Sequence, residues 1–267
     1  MRQRDVLLGL VVAMLAAGAS AEPPAPRDWE IELTPYGWLP VLDAAVETRR
    51  QGTEHFQVGI DDVLEKLDLA AMGRVSARWR RWLLVVDGVW TALEQEDAFQ
   101  RGPLRVDSDA RMTLALVQAL GGLRVVSRPG GLFGTAAPGD ERVFGFDVLA
   151  GLNYTYVSAS FELERDPVGP GAGSDRHFGS KRDWVAPAVG VRLHNDFTSR
   201  LRLETLASVG GFGVGDAPDH SWVLTALLSY RFTEHWIASL GHRTITADGN
   251  AGEIRMHGPM VGIGYRF

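Results

Sequence analysis

Arginines and acids that alternate with apolar residues are the side chains of this sequence best suited to chemistry. Glu30-x-Glu32 and Arg202-x-Glu204 show the spacing. Side chains two apart on a strand point to the same side, so such residues would gather on one face of a sheet. Arginine binds carboxylates and phosphates through a planar fork of donors and stays charged. The pattern predicts either a network of ion pairs or a path for small anions.

The histidines offer a second chemistry, general base catalysis. A serine-hydrolase arrangement needs a histidine, a serine nucleophile and an acid close together. His220 and Ser221 are adjacent, and Ser239 lies three residues before His242. Both spacings put the two side chains on opposite faces of a strand. We therefore expect interface and loop histidines, no catalytic residues and no enzymatic activity.

Metal and cofactor sites are not indicated by the sequence. The absence of cysteine excludes disulfides, zinc–thiolate sites and iron–sulfur clusters. Asp61, Asp62 and Glu65 fit the acidic start of a helical turn better than a metal site. The glycines at 210–215 end a strand and open no helix, which does not fit a phosphate-binding loop. We expect no metal and no cofactor.

The N-terminus has the order of features of a secretory signal peptide. Arg2 and Arg4 precede a short apolar run at 6–17, and small residues lead to a cleavage site near Ala21. The expected organisation is a signal peptide at 1–21, a proline-rich leader at 22–28 and one folded domain at 29–267. A net charge of −6 argues against nucleic acid as a partner.

Alternation of apolar and polar residues dominates the remaining sequence and predicts ten antiparallel strands. Their expected ranges are 29–39, 68–80, 82–94, 108–126, 142–163, 184–195, 200–212, 221–232, 235–247 and 255–267. The connections alternate between short turns and longer polar loops. In the first long loop, residues 43–60 could add a hairpin and 61–67 a helical turn. Joining that hairpin to the wall would make twelve strands, and eight is the other alternative to ten.

The composition of the two strand faces indicates a membrane barrel. Between Ser221 and Phe232 one face carries Trp222, Leu224, Leu228 and Tyr230. Aromatic residues stand at strand ends, as they do in the girdles of membrane proteins, and the opposite face mixes small and charged residues. The fold class expected is therefore all-β, a single transmembrane antiparallel barrel. A secreted soluble sandwich or lipocalin-like barrel is the alternative.

Placing the less apolar face inward gives a candidate lumen. Its expected residues are Glu30, Glu32, Arg74, Arg78, Asp87, Arg111, Asp147, Arg192, His194, Arg202, Glu204, Arg231 and Arg243. They could pair into a network that fills the barrel and fixes strand register, because the interior of a small barrel can be filled by side chains. Alternatively, Arg192, Arg202, Arg231 and Arg243 could line a narrow anion path.

The C-terminal Val261-x-Ile263-x-Tyr265-x-Phe267 resembles the assembly signal of bacterial outer-membrane β-barrel proteins. The segments Leu33–Pro40, Gly73–Trp82 and Asp87-Gly88 look like a group of small, uncharacterised barrels. The resemblance implies outer-membrane localisation, contact with outer-membrane lipids and recognition by the barrel-insertion machinery. It brings no known activity with it and leaves the oligomeric state unknown.

Three functions follow as expectations. The first is a structural or loop-mediated binding role without catalysis. The second is a narrow diffusion channel that prefers anions. The third is a lipid-modifying enzyme of the outer membrane.

Overall fold

The computed structural model describes residues 29–48, 52–58, 67–101, 104–132, 142–167, 174–249 and 252–267. The strands are β1 (Trp29–Trp38), β2 (Val41–Thr48), β3 (Gly52–Val58), β4 (Leu67–Trp79), β5 (Trp82–Arg101), β6 (Leu104–Pro129), β7 (Val143–Pro167), β8 (Ser174–Asp196), β9 (Leu201–Gly211), β10 (His220–Arg231), β11 (Trp236–Gly249) and β12 (Gly252–Arg266). In this part of the chain no helix is long and apolar enough to cross a membrane. The expected signal peptide and leader lie outside the described residues, as do residues 61–66 of the helical turn expected at 61–67, whereas Leu67 begins β4.

Ten of these strands close into a ring. Each strand from β4 to β12 pairs antiparallel with the next, and β1 pairs with both β4 and β12. The prediction of a single antiparallel barrel with ten strands is confirmed. Closure leaves no free edge within the ring, so backbone donors and acceptors are paired between strands where the surroundings are apolar.

The hairpin considered for the first loop exists, but it does not enter the ring. β2 pairs with β12 from Val41 to Ala45, beyond the segment of β12 that pairs with β1. β3 pairs only with β2 among the described residues. The hairpin therefore extends the sheet at the end of the barrel opposite Trp29 and Phe267. We call that end the distal end, and the end with Trp29 and Phe267 the terminal end.

The strands from β5 to β8 are longer than alternation alone predicts. β8 begins at Ser174 rather than at 184, and β5 continues to Arg101 rather than ending at 94. Their ladder is continuous over these extra residues. Polar and glycine-rich residues carry no amphipathic signal there, so pairing with the neighbouring strand, not local pattern, extends them. The four strands project past the ring at the distal end.

The outer surface is apolar over a band of membrane height. On β10, Leu224, Leu228 and Tyr230 are exposed while Val223, Thr225 and Leu227 are buried. Ten residues separate Trp222 from Phe232. At about 3.3 Å per residue and a tilt of about 40°, that separation spans roughly 25 Å. This matches the apolar band of outer-membrane barrels.

Glycine allows the lumen to be packed closely at several inward positions. A Cβ added at Gly151 would come within 1.9 Å of the Ala119 carbonyl oxygen, and one at Gly258 within 1.9 Å of that of Leu39. At the outward-facing Gly88 a Cβ would meet nothing within 4 Å. Inward glycines thus bring strands and side chains close enough to fill the interior.

Candidate functional site

Asp87 is the centre of one buried cluster in the lumen. Its carboxylate accepts a hydrogen bond of 2.7 Å from Tyr36 Oη and lies 3.0 Å from Arg74 Nε and 2.7 Å from an amino nitrogen of Arg243. Arg243 also donates to Tyr36 Oη, and its guanidinium lies 5.6 Å from the centre of the Trp38 ring. Asp87 is 2% exposed. Its charge thus compensates two buried cations at once.

Asp147 is the centre of a second cluster on the other side of the lumen. Asp147 is fully buried. Its carboxylate oxygens lie 2.9 Å from Arg124 Nε and 2.7 Å from a terminal nitrogen of Arg192. Glu204 joins the two clusters, since its carboxylate oxygens lie 3.1 Å from Arg74 and 3.5 Å from Arg192. One connected set of polar contacts therefore runs from Arg243 to Arg124.

We call this set the cross-lumen chain. Its members, in order of contact, are Arg243, Tyr36, Asp87, Arg74, Glu204, Arg192, Asp147 and Arg124. They come from eight of the ten ring strands, β11, β1, β5, β4, β9, β8, β7 and β6. Buried charges are tolerated when they are paired and hydrogen-bonded. The chain therefore ties opposite walls of the barrel together.

Apolar side chains fill the lumen beside the cross-lumen chain. One cluster contains Leu83, Val85, Leu120, Leu149, Ala188 and Leu206. The other contains Tyr36, Trp38, Val89, Leu227 and Met260, with Met72, Leu116, Ile245 and Met256 packed against it. Gln118 adds a neutral bridge, donating 3.0 Å hydrogen bonds to Asn153 and Ser208. The lumen has the composition of a packed core with a charged layer through it.

A third group of ion pairs lies at the terminal end. Arg266 approaches Glu30 at 3.1 Å and Glu32 at 3.2 Å, and Arg78 also pairs with Glu30. These pairs fasten the last strand to the first and the first to β4. On the other side, Asp196 accepts from Arg202 at 2.6 Å and 3.1 Å and from the Val143 backbone N–H at 3.1 Å.

Between these pairs and the cross-lumen chain lies a cavity of about 210 Å³, here called the terminal cavity. Arg74, Arg192 and Glu204 line it on the side of the cross-lumen chain, and Thr198, Ser199 and Arg200 line it at the β8–β9 turn. Because those turn residues are exposed, the cavity reaches the terminal end of the barrel. The terminal cavity is therefore a polar space that opens at the terminal end, and the lumen on its distal side is filled by side chains.

The structure places most of the proposed lumen residues inward, with one clear difference. Arg111 lies exposed on the outer face, 2.6 Å from Glu94, and shares its parity with the exposed Val117 and Leu123. β6 stays in register with β5 throughout, so Arg111 cannot turn inward. Arg111 lies beyond the apolar band, where its neighbours do not alternate clearly between apolar and polar residues. The sequence therefore did not show which face of the strand it occupies.

His194 and Arg231 occupy different parts of the interior. His194 is buried beside Gly145, where an added Cβ would come within 2.1 Å of the imidazole ring. Arg231 lines the terminal cavity and donates to the Ser199 carbonyl oxygen. Arg192, Arg202 and Arg231 line this cavity, whereas Arg243 lies on the far side of Asp87. The four arginines proposed for an anion path therefore do not share one open passage among the described residues.

Several residues of the site were not identified from the sequence. Tyr36, Arg124, Asp196 and Arg266 all hold charged partners in the lumen or at its terminal end. Parity would have placed Tyr36 and Arg266 inward. Arg124 sits just before an irregularity at 124–126, where the register with β7 shifts. Arg124 itself keeps the parity of the buried Gln118 and Leu120, so alternation would have placed it inward as well, and the irregularity changes the face only of the residues that follow it.

Histidines outside the lumen form a small group on the outer face. His257 Nε2 lies 3.2 Å from Asp43 Oδ2, and the rings of His242 and His257 are 6.0 Å apart. Among the described residues, no group of three or more His, Asp or Glu side chains is arranged to hold a metal ion.

Comparisons with known proteins identify the fold. No protein-family model matches the sequence, and no curated protein matches it. The solved structure of the outer-membrane protease OmpT from Escherichia coli matches with a TM-score of 0.50 at 11% identity, over 93% of this chain and 100% of that one. The fold is that of a bacterial outer-membrane β-barrel.

Other solved outer-membrane barrels resemble this barrel more loosely. The translocator domain of the autotransporter NalP from Neisseria meningitidis has a TM-score of 0.42 at 14% identity, covering 99% of this chain and 96% of its own. The attachment invasion locus protein Ail of Yersinia pestis has a TM-score of 0.28 at 11% identity, covering 90% and 98%. The resemblance to outer-membrane barrels is confirmed at the level of the fold by the match to OmpT.

Proposed function

We propose that this protein is an integral outer-membrane barrel that is closed to solutes and acts as a binding platform through its extracellular strands. Its terminal end faces the periplasm and its distal end the cell exterior. Three of the four connections between ring strands at the terminal end, β4–β5, β8–β9 and β10–β11, are short turns, and together with the long strands at the distal end they support this orientation. The signal peptide expected at 1–21, with cleavage near Ala21, supplies the export that the location requires.

The cross-lumen chain is the main observation in favour of a barrel that is closed to solutes. It joins opposite walls through contacts of 2.7–3.5 Å, and apolar side chains are packed beside it. A pore of this diameter would instead need a continuous polar passage. The paired arginines also have their charge compensated within the protein, which removes the main attraction for a permeating anion.

The projecting part of β5 to β8 supports the binding role. A transmembrane strand needs about 9–11 residues. β6 and β7 have 26 and 25 residues, so more than half of each lies beyond the apolar band. A sheet whose strands are already paired above the membrane binds a partner with less ordering cost than an unpaired loop would. We assign no catalytic step to this protein.

Conductance in a planar bilayer tests the closed barrel. The refolded protein, shown to be β-rich by circular dichroism, is expected to give no discrete current steps because the cross-lumen chain and apolar clusters block the lumen. A conducting barrel run alongside verifies that the bilayer detects insertion. Discrete anion-selective steps from the folded protein would contradict the closed state and favour the narrow channel.

A separate assay tests the non-catalytic role. Hydrolysis or acyl transfer of lipids, lost on replacing histidines by alanine, would contradict that role.

We also propose that the barrel-insertion machinery recognises the C-terminal residues. Phe267 is 54% exposed and makes an edge contact with Tyr265, whose ring centre is 4.9 Å away. Val261 and Ile263 are exposed on the same face. The segment therefore offers an apolar surface before it meets lipid. This exposed apolar surface supports recognition of the segment during assembly.

Phe267→Ala is expected to lower the amount of folded barrel in cellular outer membranes several-fold. Its effect on the protein refolded in detergent should be small, since the ring packs on only part of its surface. Heat-modifiable migration on gels measures both. Phe232→Ala removes an equally exposed aromatic from the same end and is the matched control. An equal loss in cells for both variants would contradict recognition of the C-terminus.

A further inference from the structure

We propose that the terminal cavity binds a small anion that carries two carboxylate or phosphate groups. The binding chemistry does not depend on whether the barrel conducts. Only the side of access, the periplasm, rests on the proposed orientation.

The charge of the lining is the first support. Among the described residues, the cavity is lined by four acids and eight arginines, which are Arg74, Arg78, Arg124, Arg192, Arg200, Arg202, Arg231 and Arg266. The acids are Glu30, Glu32, Asp196 and Glu204. Each acid is held by at least one arginine. Asp87 and Asp147 lie behind this lining and pair with Arg74, Arg124 and Arg192, and Asp87 also pairs with Arg243. Nine arginines then stand against six carboxylates, and the excess of three positive charges beside a concave surface creates a field that favours anions.

The arrangement of the pairs is the second support. Arg74 and Arg192, at the inner side of the cavity, have carboxylate partners. Arg200, at the turn, has no side-chain partner in the described part of the chain, and the contacts of Arg124 there use its Nε alone. Hydrogen-bond donors therefore remain for a ligand on Arg200, at the opening of the cavity, and on the terminal nitrogens of Arg124, in its wall.

Hydroxyl groups add donors between these arginines. Ser229 and Ser239 hydroxyls lie 2.8 Å apart in the lining, and a hydroxyl has one proton to donate and two lone pairs. One of the two protons stays available to an acceptor in the cavity. The donors are thus spread over separate strands, which suits a ligand with two anionic groups better than a single point charge.

The volume limits the size of the ligand. One water needs roughly 10–15 Å³ of such space, so a cavity of about 210 Å³ has room for several waters. A pyrophosphate or a four-carbon dicarboxylate is of the size that replaces such a group of waters. The desolvated arginines also disfavour neutral and cationic molecules.

Binding of pyrophosphate and succinate to the refolded protein in detergent, measured by calorimetry, tests the proposal. Both are expected to bind, whereas succinamide, which has the same carbon skeleton without charge, should not. Arg200→Gln and Arg231→Gln should each weaken binding about tenfold or more, since each removes a charge-assisted donor. Arg128→Gln, an exposed arginine of the same end that does not line the cavity, should leave affinity within about twofold.

Two results would overturn the site. One is the absence of measurable binding by either anion to protein that is folded. The other is an equal loss of affinity for Arg128→Gln and Arg200→Gln, which would indicate attraction by the basic rim and no defined site. Because calorimetry does not depend on conductance, a barrel that conducts could keep this site and a silent barrel could lack it.

The same measurement in nanodiscs distinguishes two sources of the anionic group. A free anion as ligand predicts equal affinity for pyrophosphate in phosphatidylcholine and phosphatidylglycerol discs. A lipid headgroup as ligand predicts weaker pyrophosphate binding in phosphatidylglycerol, because the anionic phosphatidylglycerol headgroup would compete better than the zwitterionic phosphatidylcholine headgroup. We expect equal affinity, since the lining faces the interior of the ring and not its outer surface.

Discussion

Asp87→Asn is expected to lower the free energy of unfolding by about 3–5 kcal/mol. The substitution keeps the shape of the side chain but removes the negative charge between Arg74 and Arg243. Arg243 is 4% exposed and has no other carboxylate among its described contacts, so its charge would be left uncompensated in the lumen. Urea unfolding of the refolded barrel, followed by tryptophan fluorescence, measures the loss.

Two further variants separate this effect from a general loss of charge. Glu253→Gln breaks an ion pair of similar length, 3.0 Å, in which both partners are about half exposed. It should cost less than about 1 kcal/mol, as surface pairs do. Adding Arg243→Met to Asp87→Asn should recover part of the stability, because the uncompensated cation is then removed. Similar losses in the free energy of unfolding for Asp87→Asn and Glu253→Gln would show that the Asp87–Arg243 pair is not effectively buried.

Arg74→Ser, Arg192→Ser and Glu204→Ser combined are expected to turn a silent barrel into a conducting one. These are the three central members of the cross-lumen chain, and their removal leaves Asp87 paired with Arg243 and Asp147 paired with Arg124. No buried carboxylate is therefore left without a partner. Three long side chains are lost from the middle of the lumen, which extends the terminal cavity towards the distal end. Discrete current steps in a planar bilayer are the measurement.

A control with the same change of charge uses residues outside the lumen. Arg111, Arg255 and Glu253 are exposed at the distal end, and changing all three to serine also removes two cations and one anion. This variant should stay silent. If the lumen variant is folded and equally silent, the apolar cluster around Trp38 and Met260 is sufficient to seal the barrel, and the cross-lumen chain is not the gate.

Alternation along the chain predicted the ring and its faces well because the two environments are so different. Lipid accepts only apolar side chains, and the lumen accepts charges only when they are paired. Residue type therefore alternates along each strand between the face towards lipid and the face towards the lumen. This is why ten strands and inward residues such as Asp87, Asp147 and Glu204 could be assigned without coordinates. Beyond the apolar band both faces meet water, and there the sequence misplaced Arg111 and the ends of β5 and β8.

The partners of each charge depend on contacts between strands far apart in sequence. Arg74 meets Asp87 across a turn, but it meets Glu204 only because the barrel closes and brings β9 opposite β4. Sequence alone left open whether the arginines lined a path or formed a network. The choice depends on ring circumference and stagger, which set how far opposite walls lie apart.

The sequence by itself therefore determined the class of fold, the lipid-facing surface and most of the residues that enter the lumen, since these follow from local periodicity in two contrasting solvents. The tertiary structure alone decided that β2 and β3 lie outside the ring, that the charges pair across the lumen and that a cavity remains at one end. Those features come from closure, which sets distances between residues that no local pattern relates.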